Sequence, residues 1–280
     1  MSVMTIFEKI AENAAEINSV QECDYMGSDG LIYCGKCHTP KQSWSPVPLS
    51  DKKWAAPVPC VCMEAKFKYL DKLKEREEAD IRRRKCFPDD EMAEWCFAND
   101  DGRSDNHAMQ IVRNYADNFE KMNGDGIGLF IYGDVGVGKS FAAACIANAL
   151  IDRGVNAQMT DFTTIINDMW KNNDRNGYCR KLNDTTLLVI DDLGRERESG
   201  YTSEIVASVL DARCRSNRPL ILTSNLTLDA LMDDKNTGTA LKRIYSRISK
   251  IIIPVEFKGV DRRKLQTGRN IAKYRDILGL

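Results

Sequence analysis

Eight consecutive residues, Gly133-Asp134-Val135-Gly136-Val137-Gly138-Lys139-Ser140, fit the spacing G-x-x-x-x-G-K-[ST] at every fixed position. Those residue types suit one task, holding a chain of phosphates. Glycines let backbone N–H groups curl around phosphate oxygens, and a following helix N-terminus adds partial positive charge. Lys139 is placed to reach the β- and γ-phosphates, and the Ser140 hydroxyl to ligate Mg²⁺. A second set of groups is acidic. Leu187-Leu188-Val189-Ile190 runs into Asp191 and Asp192. Asp191 is the candidate Walker B acid for magnesium, and Asp192 the candidate that orients or deprotonates an attacking water. Asn225 closes a third apolar run, Leu220-Ile221-Leu222-Thr223-Ser224, and taken alone it is only a turn residue.

The elements around these residues are the ones that chemistry needs. Leu129-Phe130-Ile131-Tyr132 is short, bulky and apolar, a buried strand ahead of the glycine loop. Ser140 to Arg153 is Ala-rich and free of Gly and Pro, with Gly154 at a C-cap position. Phe141, in its opening turn, joins the expected nucleotide-binding set with residues 133–140. Leu187–Ile190 and Leu220–Thr223 read as parallel strands buried on both faces. Their polar tips then share the carboxyl edge of one α/β sheet, where ligands bind in such folds.

A third chemistry lies upstream. Cys34-Gly35-Lys36-Cys37 is followed by Cys60-Val61-Cys62, two close thiol pairs separated by a loop. Four thiolates so arranged suit tetrahedral Zn²⁺ with no open position, a structural zinc site. The C-x-C pair is one residue shorter than the common spacing, and Cys23 and His38 are possible substitute ligands. From Glu64 to Lys85 the chain is densely charged and lacks Gly and Pro, which predicts a solvent-exposed helix linking two domains. Its Arg82–Lys85 end either touches phosphate or simply complements the helix dipole.

Composition sets the limits. A chain of 280 residues with 43% apolar residues can bury one large domain and a small one. A net charge of −1 gives no global basic field, so any nucleic-acid contact must be local. No apolar run approaches a membrane span, and Met1–Ile10 lacks a secretory core. Ten cysteines dispersed over such a chain suit a reducing cytoplasm with some of them on metal. Elsewhere the spacing predicts helices over residues 5–18, 107–122, 163–170, 202–216 and 239–248, with Arg243 and Arg247 on the last. Strands are expected at 156–162 and 251–253, a polar exposed stretch at 172–183, and a basic helical tail from Gly259.

Taken in order, the phosphate loop, Ile190-Asp191-Asp192-Leu193-Gly194, Thr223-Ser224-Asn225, Arg243-Ile244-Tyr245-Ser246-Arg247-Ile248 and Gly259-Val260-Asp261-Arg262-Arg263 resemble the AAA+ ATPases. The match is to the branch holding the DnaC/DnaI-type helicase loaders and the IstB-type transposition helpers, and it covers about residues 107–275. It implies an α/β AAA+ P-loop NTPase core with a five-stranded parallel sheet over 107–280. Ahead of the core it implies a zinc-binding N-terminal domain over 1–63 and a helical linker over 64–106. By resemblance Asn225 becomes sensor 1, Arg247 the arginine finger reaching a neighbour's ATP (Arg243 the alternative), and Arg263 sensor 2. The second acid is usually glutamate in the superfamily but aspartate in this branch, so slow ATP hydrolysis is expected. The implied partners are a DnaB-type replicative helicase hexamer gripped by the N-terminal domain, single-stranded DNA, and further copies of the chain. The rival readings are a transposition helper acting on duplex DNA, a zinc-containing small-molecule kinase, and a binding adaptor that holds ATP only as a structural ligand.

Overall fold

The computed structural model describes residues 17, 19–46, 53–102, 105–171, 174–194, 200–233 and 239–279. The helix expected over residues 5–18 falls almost wholly outside them. The chain forms two compact units, Met1–Glu77 and Glu78–Leu280.

The first unit is small. Strand β1 (Tyr25–Met26) pairs antiparallel with β2 (Ile32–Tyr33), and β3 (Gln42–Trp44) pairs with β4 (Ala55–Pro57). Its described apolar core is a cluster of Cys34, Cys60 and Met63, with Ile17, Cys37 and Phe67 packed against it, and Leu31 buried apart from them. So little buried area cannot order a unit by itself, and a staple is required. Polar contacts do part of that work. Asp24 accepts hydrogen bonds from Gln21 N–H at 2.8 Å, Gly35 N–H at 3.2 Å and Lys41 Nζ at 2.7 Å. Gly35 is obligatory, because a Cβ there would stand 1.9 Å from the Cys23 carbonyl oxygen.

The charged stretch is one long helix, α1 (Val61–Cys86), with acid in its first turn and Arg83, Arg84 and Lys85 in its last. It is not solvent-exposed throughout: Ala79 and Cys86 are buried in the second unit. Asp89 caps α2 (Asp90–Glu94) by accepting from Glu91 N–H, and Asp105 caps α3 (Asn106–Asp117) in the same way. The single helix expected at 107–122 is two, since Asn118 separates α3 from α4 (Phe119–Asp125).

The core sheet is five parallel strands in the order β6-β7-β8-β5-β9. These are β5 (Gly128–Gly133), β6 (Ala157–Asp161), β7 (Leu187–Leu193), β8 (Leu220–Ser224) and β9 (Ile252–Phe257). Side chains alternate across it. Leu129, Ile131, Leu187 and Val189 enter one core with α5 (Lys139–Asp152), while Phe130, Leu188 and Ile190 enter the other. Helices α6 (Phe162–Lys171), α8 (Gly200–Ser216) and α10 (Thr239–Ile248) supply residues to that second core, including Ile165, Val209 and Ile248. The connection 172–183, expected to be exposed, contains instead a helix, α7 (Arg175–Asp184), with Leu182 buried. Asp174 starts it by accepting from Gly177 N–H at 2.8 Å. Helix α9 (Leu228–Asp233) follows β8, and α11 (Arg262–Leu278) closes the described chain. Among the described residues no helix is long and apolar enough to cross a membrane.

Candidate functional site

Strand order brings the carboxyl ends of β5, β8 and β7 side by side, and the predicted residues meet there. The phosphate loop leaves β5 through Gly133, Gly136 and Gly138, all with left-handed φ of 144°, 80° and 102°. At Gly136 a Cβ would also stand 2.0 Å from the Asp261 carboxylate, so the N-cap of α11 lies directly against the loop. Arg262 N–H donates to the Gly136 carbonyl at 3.0 Å in the same contact.

Lys139 is buried and donates to the carbonyls of Gly133 and Asp134 and to Asn225 Oδ1, at 2.9, 2.7 and 2.8 Å. Burial pushes its ammonium below the ordinary lysine range, against the pull of Asp192 and Asp191. Ser140 Oγ donates to Asp191 Oδ1 at 2.9 Å. Thr223 Oγ1 donates to the same oxygen. Burial raises the Asp191 carboxyl, and those two hydroxyl bonds oppose the rise. A hydroxyl and a carboxylate in contact form the hard-oxygen pair that magnesium takes.

Asp192 is set apart from Asp191 by a bulge. On β7, Ile190 pairs with Leu222 but Leu193 pairs with Ser224, so one extra residue is inserted there. Asp192 carries the insertion with φ 56°, and its N–H donates to Thr223 Oγ1 at 2.9 Å. A non-glycine residue in the left-handed region is sustained only where its surroundings hold it, and such strain gathers at functional sites. The bulge turns Asp192 into the cleft of about 520 Å³ that Lys139, Ser140 and Asn225 also line. Arg263 lines this cleft as well.

Five of the cleft's other residues were given no site role from sequence: Glu91, Trp95, Asp101, Arg262 and Arg269. Arg262 pairs with Asp101 and stands 5.7 Å from the ring of Phe141. Arg262 and Arg269 are seven residues apart on α11, two helical turns, which puts both on one face; that i, i+7 repeat was the available signal. The other arginines lie elsewhere. Arg243 is exposed, and Arg247 pairs with Asp211 at 2.5 Å on the exposed side of α10 and α8.

In the first unit, the thiols of Cys34, Cys37, Cys60 and Cys62 all lie within 4.8 Å of one another. Cys34 and Cys62 are 3.6 Å apart and Cys60 and Cys62 3.3 Å. A tetrahedral zinc with Zn–S of ~2.3 Å separates its sulfurs by about 3.8 Å, so the donor set fits. The short C-x-C pair works because Cys60 precedes α1 and Cys62 lies in its first turn. Cys23 and His38 are not in the cluster; His38 Nδ1 faces Tyr25 Oη at 3.3 Å. The Thr39 hydroxyl and backbone N–H groups lower the Cys37 thiol to about 5, while bonding to its three neighbours pushes Cys62 up to about 12. A dication bound there would collect all four as thiolates.

A model of the IstB-like ATP binding proteins matches residues 68–267. The replicative helicase loader DnaI of Bacillus subtilis is 26% identical over 168 residues, 56% of this chain and 52% of that protein. The replicative helicase loader DnaC of Escherichia coli is 28% identical over 154 residues, 50% of this chain and 61% of that protein. The chain thus spans about half to three fifths of the length of these relatives. Among solved structures, that of DnaI superposes with a TM-score of 0.52 at 24% identity, covering 62% of this chain and 96% of that one. The shared architecture is the AAA+ core, as expected.

Proposed function

The chain belongs to the family of IstB-like ATP binding proteins, and we propose that within it this member is an ATP-hydrolysing loader of a replicative helicase. The observation that carries the reading is that the curated relatives it matches over about half of its length are named replicative helicase loaders.

In this reading the loop amides and Lys139 hold the β- and γ-phosphates, and Lys139 exchanges its loop carbonyls for phosphate oxygens. Magnesium, when bound by Ser140 and Asp191, neutralises charge on the triphosphate. Asp192, aimed into the cleft by the bulge, orients a water in line with the γ-phosphorus and accepts its proton. Asn225 hydrogen-bonds that water or the γ-phosphate, and Arg263 reads the phosphates from α11. Arg247 acts on a neighbouring copy's site, so that self-association and hydrolysis are linked. The four-cysteine unit, stapled by zinc, grips the helicase ring, and the assembled ATPase units contact single-stranded DNA. Slow turnover suffices, because nucleotide state gates assembly rather than driving many cycles.

The test is size analysis and pull-down of the full chain with its cognate helicase, in ATP and in ADP, alongside a Cys34→Ser/Cys37→Ser variant. A complex that forms and is lost in the variant supports the loader reading; no complex in either nucleotide overturns it. Membership among the IstB-like ATP binding proteins, taken with the resemblance to IstB-type transposition helpers, supports a second reading, a helper ATPase of transposition. Tight, ATP-dependent binding of duplex DNA without a helicase would select it.

A further inference from the structure

Four residues form a stripe along α5, at successive intervals of four, three and four: Phe141, Cys145, Asn148 and Asp152. This helix starts at the phosphate loop, and three members of the stripe reach the segment that precedes the ATPase core. Phe141 packs against Trp95, ring centres 5.8 Å apart and tilted by 55°. Asp152 pairs with Arg83 of the last turn of α1. Asn148 does both jobs at once. Its Nδ2 donates to the carbonyls of Met92 and Trp95 at 2.9 and 2.8 Å, and its Oδ1 accepts from Arg83 Nε at 3.1 Å. It is only 3% exposed, and both side-chain amide hydrogens and the oxygen are engaged.

Trp95 and Phe141 line the same cleft as the phosphate-loop residues Gly136, Gly138 and Lys139, and they are its aromatic lining among the described residues. We infer that Asn148 is a positioning residue: it fixes the aromatic wall on the base side of the cleft and, through Arg83, joins that wall to the last turn of α1. The inference rests on the reading of the cleft as an ATP site. The physical argument is geometric. The carbonyl of Trp95 is anchored to α5 by Asn148, and its ring packs on Phe141 of the same helix, so backbone and ring are held to one element. The same amide holds Arg83, so the end of α1 and the wall cannot shift independently. A base stacking on Trp95 therefore orders the end of α1 as well.

The test uses the full chain with two ligands, ATP and inorganic tripolyphosphate, which has the phosphates without a base. Emission is read from Trp95 in a background with Trp44, Trp54 and Trp170 replaced by Phe, and hydrogen exchange is followed at residues 82–86. In the parent, ATP should change the emission and slow the exchange, and tripolyphosphate should do neither. Asn148→Ala should bind ATP about tenfold more weakly, as loss of an ordered stacking surface implies. It should bind tripolyphosphate unchanged and lose both ATP responses. Unchanged ATP affinity with both responses retained overturns the inference, and so does an equal loss for the two ligands, which would mean general damage. Trp95→Leu serves if Asn148→Ala does not fold; it should show the same base-dependent loss, and unchanged ATP affinity in it is equally fatal. A parent chain that binds neither ligand would instead sink the ATP-site reading itself.

Discussion

Lys139 Nζ lies 2.8 Å from Asn225 Oδ1, joining the phosphate loop after β5 to the tip of β8 through one hydrogen bond. The two residues are 86 positions apart in the chain. The sheet alone makes them neighbours, and their roles separate cleanly. Lys139→Ala removes the only cation inside the loop and should abolish measurable ATP binding by calorimetry. Asn225→Ala should leave ATP affinity within about threefold and lower turnover about a hundredfold, the scale of losing one aligned polar group in a transition state. A comparable loss of affinity in both variants would contradict this division.

The buried Asp191 carboxylate costs the fold stability, which in the proposed reading is the cost of holding magnesium. Its folded carboxyl is raised above the ordinary 3.8, chiefly by burial. The folded state therefore holds that proton more tightly than the unfolded chain does. Stability from this group is greatest at acid pH and is lost as pH rises from 3.8 through the folded value. Asp191→Asn keeps the acceptor for Ser140 and Thr223 and removes the buried charge. It should melt higher than the parent at pH 7 without nucleotide, by a few degrees, with the difference closing toward pH 4. Magnesium-dependent hydrolysis should be lost in the same protein. A lower melting temperature would show that the carboxylate is net stabilising.

The cysteine cluster should hold one zinc per chain, measurable by atomic emission. Cys34→Ser, or a strong chelator, should release it and unfold the first unit, because so small an apolar core cannot stand alone. Near-ultraviolet circular dichroism of Trp44 and Trp54, both in that unit, would report the change. A full-length protein that contains no zinc and keeps an ordered first unit would refute the staple.

Among the described residues Arg213 is the largest fully buried side chain, and its described partners are carbonyls rather than a carboxylate. It donates to Asn183, Thr185, Thr186 and Pro219, tying the entry of β7 to the turn before β8. Burial, then the nearby Arg218 cation, press its guanidinium below the usual arginine range, and the carbonyl dipoles hold it charged. Arg213→Ala leaves those carbonyls unpaired around a void and should cost about 3 kcal/mol in urea unfolding. A loss below about 1 kcal/mol would mean that water replaces the guanidinium.

These residues mark where sequence stops being legible. The apolar runs 129–132, 187–190 and 220–223 announced the sheet, because strands buried on both faces leave no polar positions to blur the pattern. The loop, the two acids and Asn225 were legible because each ends such a run. Strand β9 was longer than read, since Pro254 breaks the pattern and is tolerated only at an edge. Helix α7 was hidden by Gly177 inside it. Arg213 and Asn148 look like surface residues in sequence: apart from the Arg83 guanidinium on Asn148, their partners are backbone carbonyls, which no side-chain pattern encodes. Trp95 precedes the domain's first strand by more than thirty positions, and only the packing on α5 brings it to the cleft.

Arg247 is the residue on which resemblance and local geometry differ most. Within one chain it is half exposed and pairs with Asp211, a role that exposed ion pairs fill at a worth of about 0–1 kcal/mol. If that were its whole task, Arg247→Ala would leave hydrolysis unchanged and shift stability slightly. The trans role predicts otherwise. Arg247→Ala should bind ATP normally and hydrolyse it at least tenfold more slowly in assembled protein. Mixing makes the test decisive. Lys139→Ala chains bind no ATP but carry Arg247, whereas Arg247→Ala chains bind ATP and lack the finger. Together they should recover activity that neither shows alone, through interfaces that pair one intact site with one intact arginine. Asp211→Ala, which releases Arg247 from its partner, should hydrolyse at least as fast as the parent. Absence of recovery on mixing, with assembly confirmed by light scattering, would return Arg247 to the surface ion pair; the same mixture with Arg243→Ala would then show whether the finger is one helical turn earlier.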